Sequence, residues 1–164
     1  MEVYLIRHGI AAERGTYDND ELRPLTDKGR KKTTEVAKKL HSIGLRFDSI
    51  LTSPLVRAYQ TAEILVQVGL GQHLEKFAPL APDGNIQDWL SWQAQWERTH
   101  QNSKIVLVGH QPDLGNWAEL LVWGSVKEKL VVKKAGVIGL QVPEGVTPVG
   151  QSELFLLASP KWLI

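Results

Sequence analysis

The 164-residue sequence contains no cysteine. That excludes disulfides, thiolate metal sites and cysteine nucleophiles, and it fits a reducing compartment. Charge of one sign is equally scarce. Nineteen Lys and Arg stand against eighteen Asp and Glu, a formal net charge of +1, so no global field draws in nucleic acid or a membrane surface. Any anion-binding role must come from a local cluster of cations. No apolar run approaches the ~20 residues of a membrane span, and Met1 to Ile6 runs straight into Arg7-His8 without a signal-peptide pattern. The five histidines (His8, His41, His73, His100 and His110) show no paired ligand spacing such as H-E-x-x-H. Asp18-Asn19-Asp20 starts like a calcium loop but lacks its glycine and distal glutamate, and is read as a solvated loop. The expectation is a cytoplasmic protein that uses neither metal nor other cofactor.

What is present is an ordinary globular balance, 43% hydrophobic and 23% charged, in a length suited to a single domain over 1–164. Val3 to Ile6, Ile50 to Thr52 and Ile105 to Val108 are short apolar runs that predict buried strands. Thr26 is placed to cap a helix with Thr33, Val36, Ala37 and Leu40 on its buried face and Gly44 as its stop. Its many basic residues are read as a solvated outer face. Ser53-Pro54 matches a helix N-cap followed by proline at the first helical position, with Ala58, Ala62 and Leu65 packing inward. Ile86, Trp89, Leu90, Gln93 and Trp96 predict another amphipathic helix, and a further one begins near Pro112. Val137 to Val142 and Leu154 to Leu157 close the chain as strands. Strands alternating with helices predict a three-layer α/β sandwich with a mainly parallel central sheet.

In such sheets ligands gather at the carboxyl ends of strands. Each of the three apolar runs ends there in polar groups: Arg7-His8-Gly9, Ser53 with Arg57, and Gly109-His110. Arg7 and Arg57 supply planar, permanently charged forks that match phosphate oxygens. A guanidinium beside His8 disfavours its protonated form and leaves a lone pair free for attack on phosphorus. Taken singly, His110 would be a structural histidine and Arg57 a surface residue. Their coincidence at three junctions is the argument.

The segments Leu5 to Gly9, Ser53-Pro54-Leu55-Val56-Arg57-Ala58-Tyr59-Gln60-Thr61-Ala62 and Val108-Gly109-His110-Gln111-Pro112 together resemble the histidine phosphatase superfamily, the phosphoglycerate-mutase-like group. The short length, Arg23-Pro24-Leu25-Thr26 with Gly29, and Pro112-Asp113-Leu114 are similar to its SixA-type branch of phosphohistidine phosphatases. The resemblance implies that His8 is the phosphorylated nucleophile. It implies that Arg7, Arg57 and His110 hold the phosphoryl oxygens, with Arg23 near them. Ser53 either adds its hydroxyl or only caps the helix, and the following proline favours the cap.

Larger relatives that cleave phosphate esters carry a glutamate general acid after the second helix. Here the region reads Leu80-Ala81-Pro82-Asp83-Gly84. Asp83 is a candidate acid, although Asp-Gly is also a common turn pair. Without a placed acid, a leaving group that departs easily is favoured, which points to phosphohistidine on a protein such as a histidine-containing phosphotransfer domain, with phosphate ion as product. A broad phosphomonoesterase and a catalytically silent phosphoprotein-binding module are the alternatives. A metal-dependent hydrolase and a mutase are weaker, the first for want of ligand spacing and the second for want of chain to build a lid.

Overall fold

A computed structural model describes residues 1–164. Strand β1 (Glu2–Arg7) leads through a long excursion into α1 (Asp27–Ser42), then β2 (Ser49–Thr52), α2 (Val56–Val68), β3 (Leu74–Lys76) and α3 (Ile86–Trp96). Strand β4 (Lys104–Gly109), α4 (Asp113–Trp123), β5 (Val137–Gln141), β6 (Glu153–Ala158) and the short α5 (Pro160–Leu163) follow. The six strands form one sheet in the order β3-β2-β4-β1-β5-β6. The pairings β2–β3, β2–β4 and β1–β4 are parallel, whereas β5 pairs antiparallel with both β1 and β6.

Alternation along the central strands builds the three layers. Val3 and Leu5 of β1, with Ile105 and Leu107 of β4, join Trp89 of α3 and Leu114, Trp117 and Leu121 of α4 in one buried cluster. Tyr4 and Ile6, with Val106 and Val108, face the opposite way onto Val36, Ala37 and Leu40 of α1 and Ala58, Ala62 and Leu65 of α2. Period-2 strands covered on both faces need apolar residues at every position, which is why these runs are unbroken in the sequence. The α/β sandwich is as expected, its parallel part confined to four of the six strands.

Thr26 caps α1 as predicted, its hydroxyl accepting from Gly29 N–H at 3.0 Å, and Gly44 ends that helix with φ +91°. Two expectations fail. Strand β3 is missed because Leu-Glu-Lys is a three-residue edge with no apolar run. Ser53 is not the cap of α2. That helix starts at Val56, with Leu55 in the capping position and no side-chain cap, while Ser53 still continues the sheet, its N–H bonded to Val108 O at 2.9 Å.

Helix α1 seats directly on the segment after β1. A Cβ on Gly29 would strike the carbonyl oxygen of Ile10, with Ile10 C and N at 2.9 and 3.0 Å. Gly29→Ala should therefore lower stability by ~1–3 kcal/mol through overpacking, despite a higher helix propensity. Lys31→Ala on the exposed face of the same helix should stay within ~0.5 kcal/mol. Urea midpoints of both variants check this, and an unchanged Gly29→Ala midpoint would contradict the close approach.

Candidate active site

The parallel register carries past the sheet at its carboxyl end. Arg7 pairs with Gly109, the next residue, His8, donates its N–H to Gly109 O at 3.0 Å, and Ser53 N–H bonds Val108 O. The side chains that follow β1 and β4 are thereby forced together, and the His8 and His110 rings lie 5.2 Å apart. Arg57 enters from the first turn of α2. The same helix fixes the loop after His8, because Thr61 Oγ1 accepts from Gly9 N–H at 3.0 Å.

Arg7, His8, Arg23, Arg57 and His110 all line one cavity of about 460 Å³. Its wall holds five cationic side chains, the four arginines including Arg14 plus Lys134, against the carboxylates Glu13, Asp83 and Asp113. Arg7 donates one N–H to Val132 O at 3.2 Å. The Nε atoms of Arg7 and Arg57 are buried and have no protein acceptor. Buried donors left unpaired are costly, which favours an anion as their partner.

Both histidines are neutral at pH 7. Burial foremost, and then His110, Arg57 and Arg7, lower the His8 pKa to about 3, while a hydrogen bond to Gly9 opposes the shift. Burial, followed by Arg57 and Arg7, lowers His110 to about 4. The direction agrees with the sequence expectation for His8, but desolvation is the larger cause. Gly9 O lies 2.7 Å from His8 Nδ1 and can only accept, so Nδ1 carries the hydrogen and Nε2 keeps the lone pair.

Ser53 does not line the cavity; it is fully buried behind His110, with Oγ 2.8 Å from His110 Nε2. The same oxygen accepts from Leu55 N–H at 3.2 Å. One hydroxyl thus ties the loop before α2 to the His110 ring. Ser53 is thus removed from the phosphate-contacting set and becomes a support for His110.

Asp83 does reach the cavity wall, but as an exposed turn residue with φ +67°. Its N–H bonds Asp113 Oδ2 at 2.9 Å. Asp113 is the carboxyl that sequence reasoning passed over. It lies half-buried on the first turn of α4, and burial raises its pKa, aided by the Asp83 charge and opposed by the Asp83 hydrogen bond. Asp20 is exposed, as expected of a solvated loop, but it also binds both Arg23 and Arg57. Its spacing of three residues before Arg23 was the available signal. No group of three His, Asp or Glu side chains is arranged to hold a metal ion, and no helix is long and apolar enough to cross a membrane.

The model of the histidine phosphatase superfamily (branch 1) matches residues 3–78. An uncharacterised protein of Picosynechococcus sp. is 51% identical over 165 residues, covering 100% of this chain and 99% of that protein. The chain belongs to the histidine phosphatase superfamily. The mitochondrial serine/threonine-protein phosphatase Pgam5 of Drosophila mojavensis is 33% identical over 104 residues, which are 58% of this chain and only 35% of that one. The protein histidine phosphatase SixA, solved with tungstate, superposes with a TM-score of 0.87 over 100% of both chains at 23% identity. That likeness fixes the fold as the phosphoglycerate-mutase-like α/β fold of this superfamily.

Two expectations follow from the geometry. Histidines buried neutral stabilise the fold fully above their unfolded pKa of ~6.5 and progressively less as pH falls toward the folded values of about 3 and about 4. Stability should therefore drop below pH 6.5 with a slope approaching ~1.4 kcal/mol per pH unit for each histidine. Urea midpoints at pH 7, 6 and 5 read this, and His110→Asn should flatten the slope; a flat wild-type profile would contradict neutral burial. Separately, Arg57→Ala is expected to lose ~10²–10³ in turnover, the usual cost of removing one donor to developing charge. Arg57→Lys should recover only part, because a point charge lacks the fork. Unchanged steady-state kinetics in the alanine variant would return Arg57 to a packing role.

Proposed function

We propose that this protein is a phosphatase that takes a phosphoryl group from phosphohistidine on a protein onto His8 and releases it as inorganic phosphate. The observation that carries the reading is the state of His8: buried, neutral, its Nδ1 tied to Gly9 O and its Nε2 free beside Arg7, Arg57 and His110. In the first step Nε2 attacks phosphorus in line, a new N–P bond forms, and the substrate's N–P bond breaks. In the second, water attacks the His8 phosphoramidate and frees Nε2. Arg7, Arg57, Arg23 and His110 hold the three equatorial oxygens, and such electrostatic positioning supplies most of the rate in phosphoryl transfer. The chemistry needs no metal or other cofactor, and the absence of cysteine fits a cytoplasmic setting.

The substrate class rests on the leaving group. An imidazole departs neutral once protonated and has a pKa of ~6.5, so solvent can supply that proton. Transfer to His8 exchanges one N–P bond for another and is close to balanced. An alkyl ester must expel an alkoxide, whose conjugate acid resembles water at ~15.7. The fold shared with SixA supports the same choice. A histidine-containing phosphotransfer domain is a partner of the required chemistry.

A second reading, a broad phosphomonoesterase, is favoured by one observation. The Asp113 carboxyl is raised in the cavity wall, where it is placed to protonate an alkoxide. The sequence similarity to Pgam5 is in keeping with it.

One assay separates the readings. Phosphate release is compared for a phosphohistidine protein, an aryl phosphate and phosphoserine, and rapid quench tests for an acid-labile, base-stable adduct on His8. The expected outcome is ready hydrolysis of the first two, with phosphoserine slower by ~10²–10⁴, the usual worth of general acid catalysis. Asp83→Asn should change neither substrate class. Equal rates on phosphoserine, lost selectively in Asp113→Asn, would establish the broad phosphomonoesterase. Full activity in His8→Ala would end the covalent scheme, and phosphopeptide binding without phosphate release would mean a silent binding module.

A further inference from the structure

Arg23 and Arg57 reach the cavity from different elements, one from the excursion after β1 and the other from α2, yet a single residue grips both. Asp20 Oδ1 accepts from Arg23 Nε at 2.7 Å, and Asp20 Oδ2 accepts from Arg57 Nη2 at 3.2 Å. The Asp20 carbonyl oxygen accepts from Arg57 Nη1 at 3.0 Å. Arg23 is held a second time, by Nη1 donating to Ala12 O at 2.6 Å. The two guanidinium side chains are 8% and 5% exposed, whereas the Asp20 side chain is 55% exposed. Asp20 is not among the cavity-lining residues, although both arginines are. It therefore holds the forks from their solvent side, leaving Arg57 Nε and Arg23 Nη2 without protein acceptors.

We propose that Asp20 is a positioning residue, a shared counter-ion that locks Arg23 and Arg57 into one double fork facing the transferred phosphoryl group without touching that group itself. The inference builds on the reading of the cavity as a phosphoryl-transfer site. Two guanidinium groups brought this close repel each other, and each would otherwise wander among the many rotamers of a long side chain. One carboxylate between them removes both difficulties. The pairing is mutual, since the Arg23 hydrogen bond foremost, with Arg57 adding to it, holds the Asp20 carboxyl below its ordinary range. Asp20 also sits in the short 3-10 turn Asp20–Leu22, whose start is fixed by Asn19 Oδ1 accepting from Glu21 N–H. The backbone carbonyl that meets Arg57 also accepts from Arg23 N–H at 3.2 Å.

The function of such a residue shows in turnover more than in ground-state binding. Removing the Asp20 charge makes the cavity more positive, which does not weaken attraction for a phosphate dianion. It frees the forks from the geometry that the transition state needs, and misplacement of about 1 Å costs ~10²-fold.

The test is a double-mutant cycle on the full chain, with Asp20→Asn, Arg57→Ala and both together, assayed on an aryl phosphate. Asp20→Asn keeps the shape and one acceptor while removing the charge, and thermal unfolding run in parallel separates lost chemistry from lost fold. The expected result is a fall in kcat of ~10–10²-fold with KM changed less than ~3-fold. In the Arg57→Ala background the same substitution should cost clearly less, because one of the two forks it orients has gone. Asp20→Glu, which keeps the charge, should recover part of the rate. A wild-type kcat in Asp20→Asn, or equal losses in both backgrounds, would overturn the proposal. Should the wild-type protein show no turnover, the phosphatase reading fails by itself. The cycle is then scored by calorimetry on affinity for vanadate, which takes up the trigonal-bipyramidal geometry of the transition state; non-additivity supports the double fork and additivity refutes it.

Discussion

The parallel pairing of β1 with β4, prolonged by one hydrogen bond from His8 N–H to Gly109 O, is the constraint on which the cavity depends. Parallel strands end side by side, so whatever residues follow them must share one crevice. The sheet has β4 at its centre, flanked by β1 and β2, and the residues after all three ends are His8, His110 and Ser53. The two hydrophobic clusters above and below the sheet leave these strands no freedom to slip, because a one-residue shift would exchange Leu5 and Leu107 for Tyr4 and Val106 on the wrong face. The stability of the core and the spacing of the two imidazoles are one requirement.

That convergence creates an electrostatic difficulty. Four arginines and Lys134 crowd a single cavity, and a charged imidazole there would add to the repulsion. Burial resolves the matter in favour of neutral His8 and His110. The arginines cannot shed their protons, so they are balanced by position instead: Asp20 lies against two of them and Val132 O accepts from a third. Neutral nitrogen lone pairs beside fixed positive charge are what attack on a phosphate requires, since the nucleophile stays unprotonated while the oxygens are held.

Much of this was legible in the sequence, because strand ends and apolar periodicity are local signals. Arg7-His8, Arg57 and Gly109-His110 could be placed on the correct junctions from apolar runs of three or four residues. The cap at Thr26 was legible for the same reason. What escaped was set by contacts distant in sequence. Ser53-Pro54 has the local form of a helix start, but its N–H and hydroxyl are taken by β4 and His110, fifty-five and fifty-seven residues away, and the helix starts later. Strand β3 has too little apolar character to be seen alone and exists because β2 offers it an edge. The role of Asp20 toward Arg57, thirty-seven residues distant, has no local trace beyond its spacing to Arg23.

The two aspartates that local reasoning undervalued show how environment divides one residue type into two tasks. Asp20 and Asp113 each sit at the start of a helical turn, where a carboxylate is ordinarily stabilised by backbone N–H groups. Asp20 is exposed and meets two guanidinium groups, so its proton is held off and it serves as a permanent negative charge. Asp113 is half-buried, receives one backbone N–H and faces Asp83, so its proton is retained more readily. Pairs of titratable groups driven apart in this way mark a division between charge and acid. The first lies behind the forks, away from the cavity, and the second lies in its wall. The arginine geometry therefore does not depend on which leaving group is present. Among the carboxylates of the cavity wall, Asp113 is the one whose proton burial helps to retain.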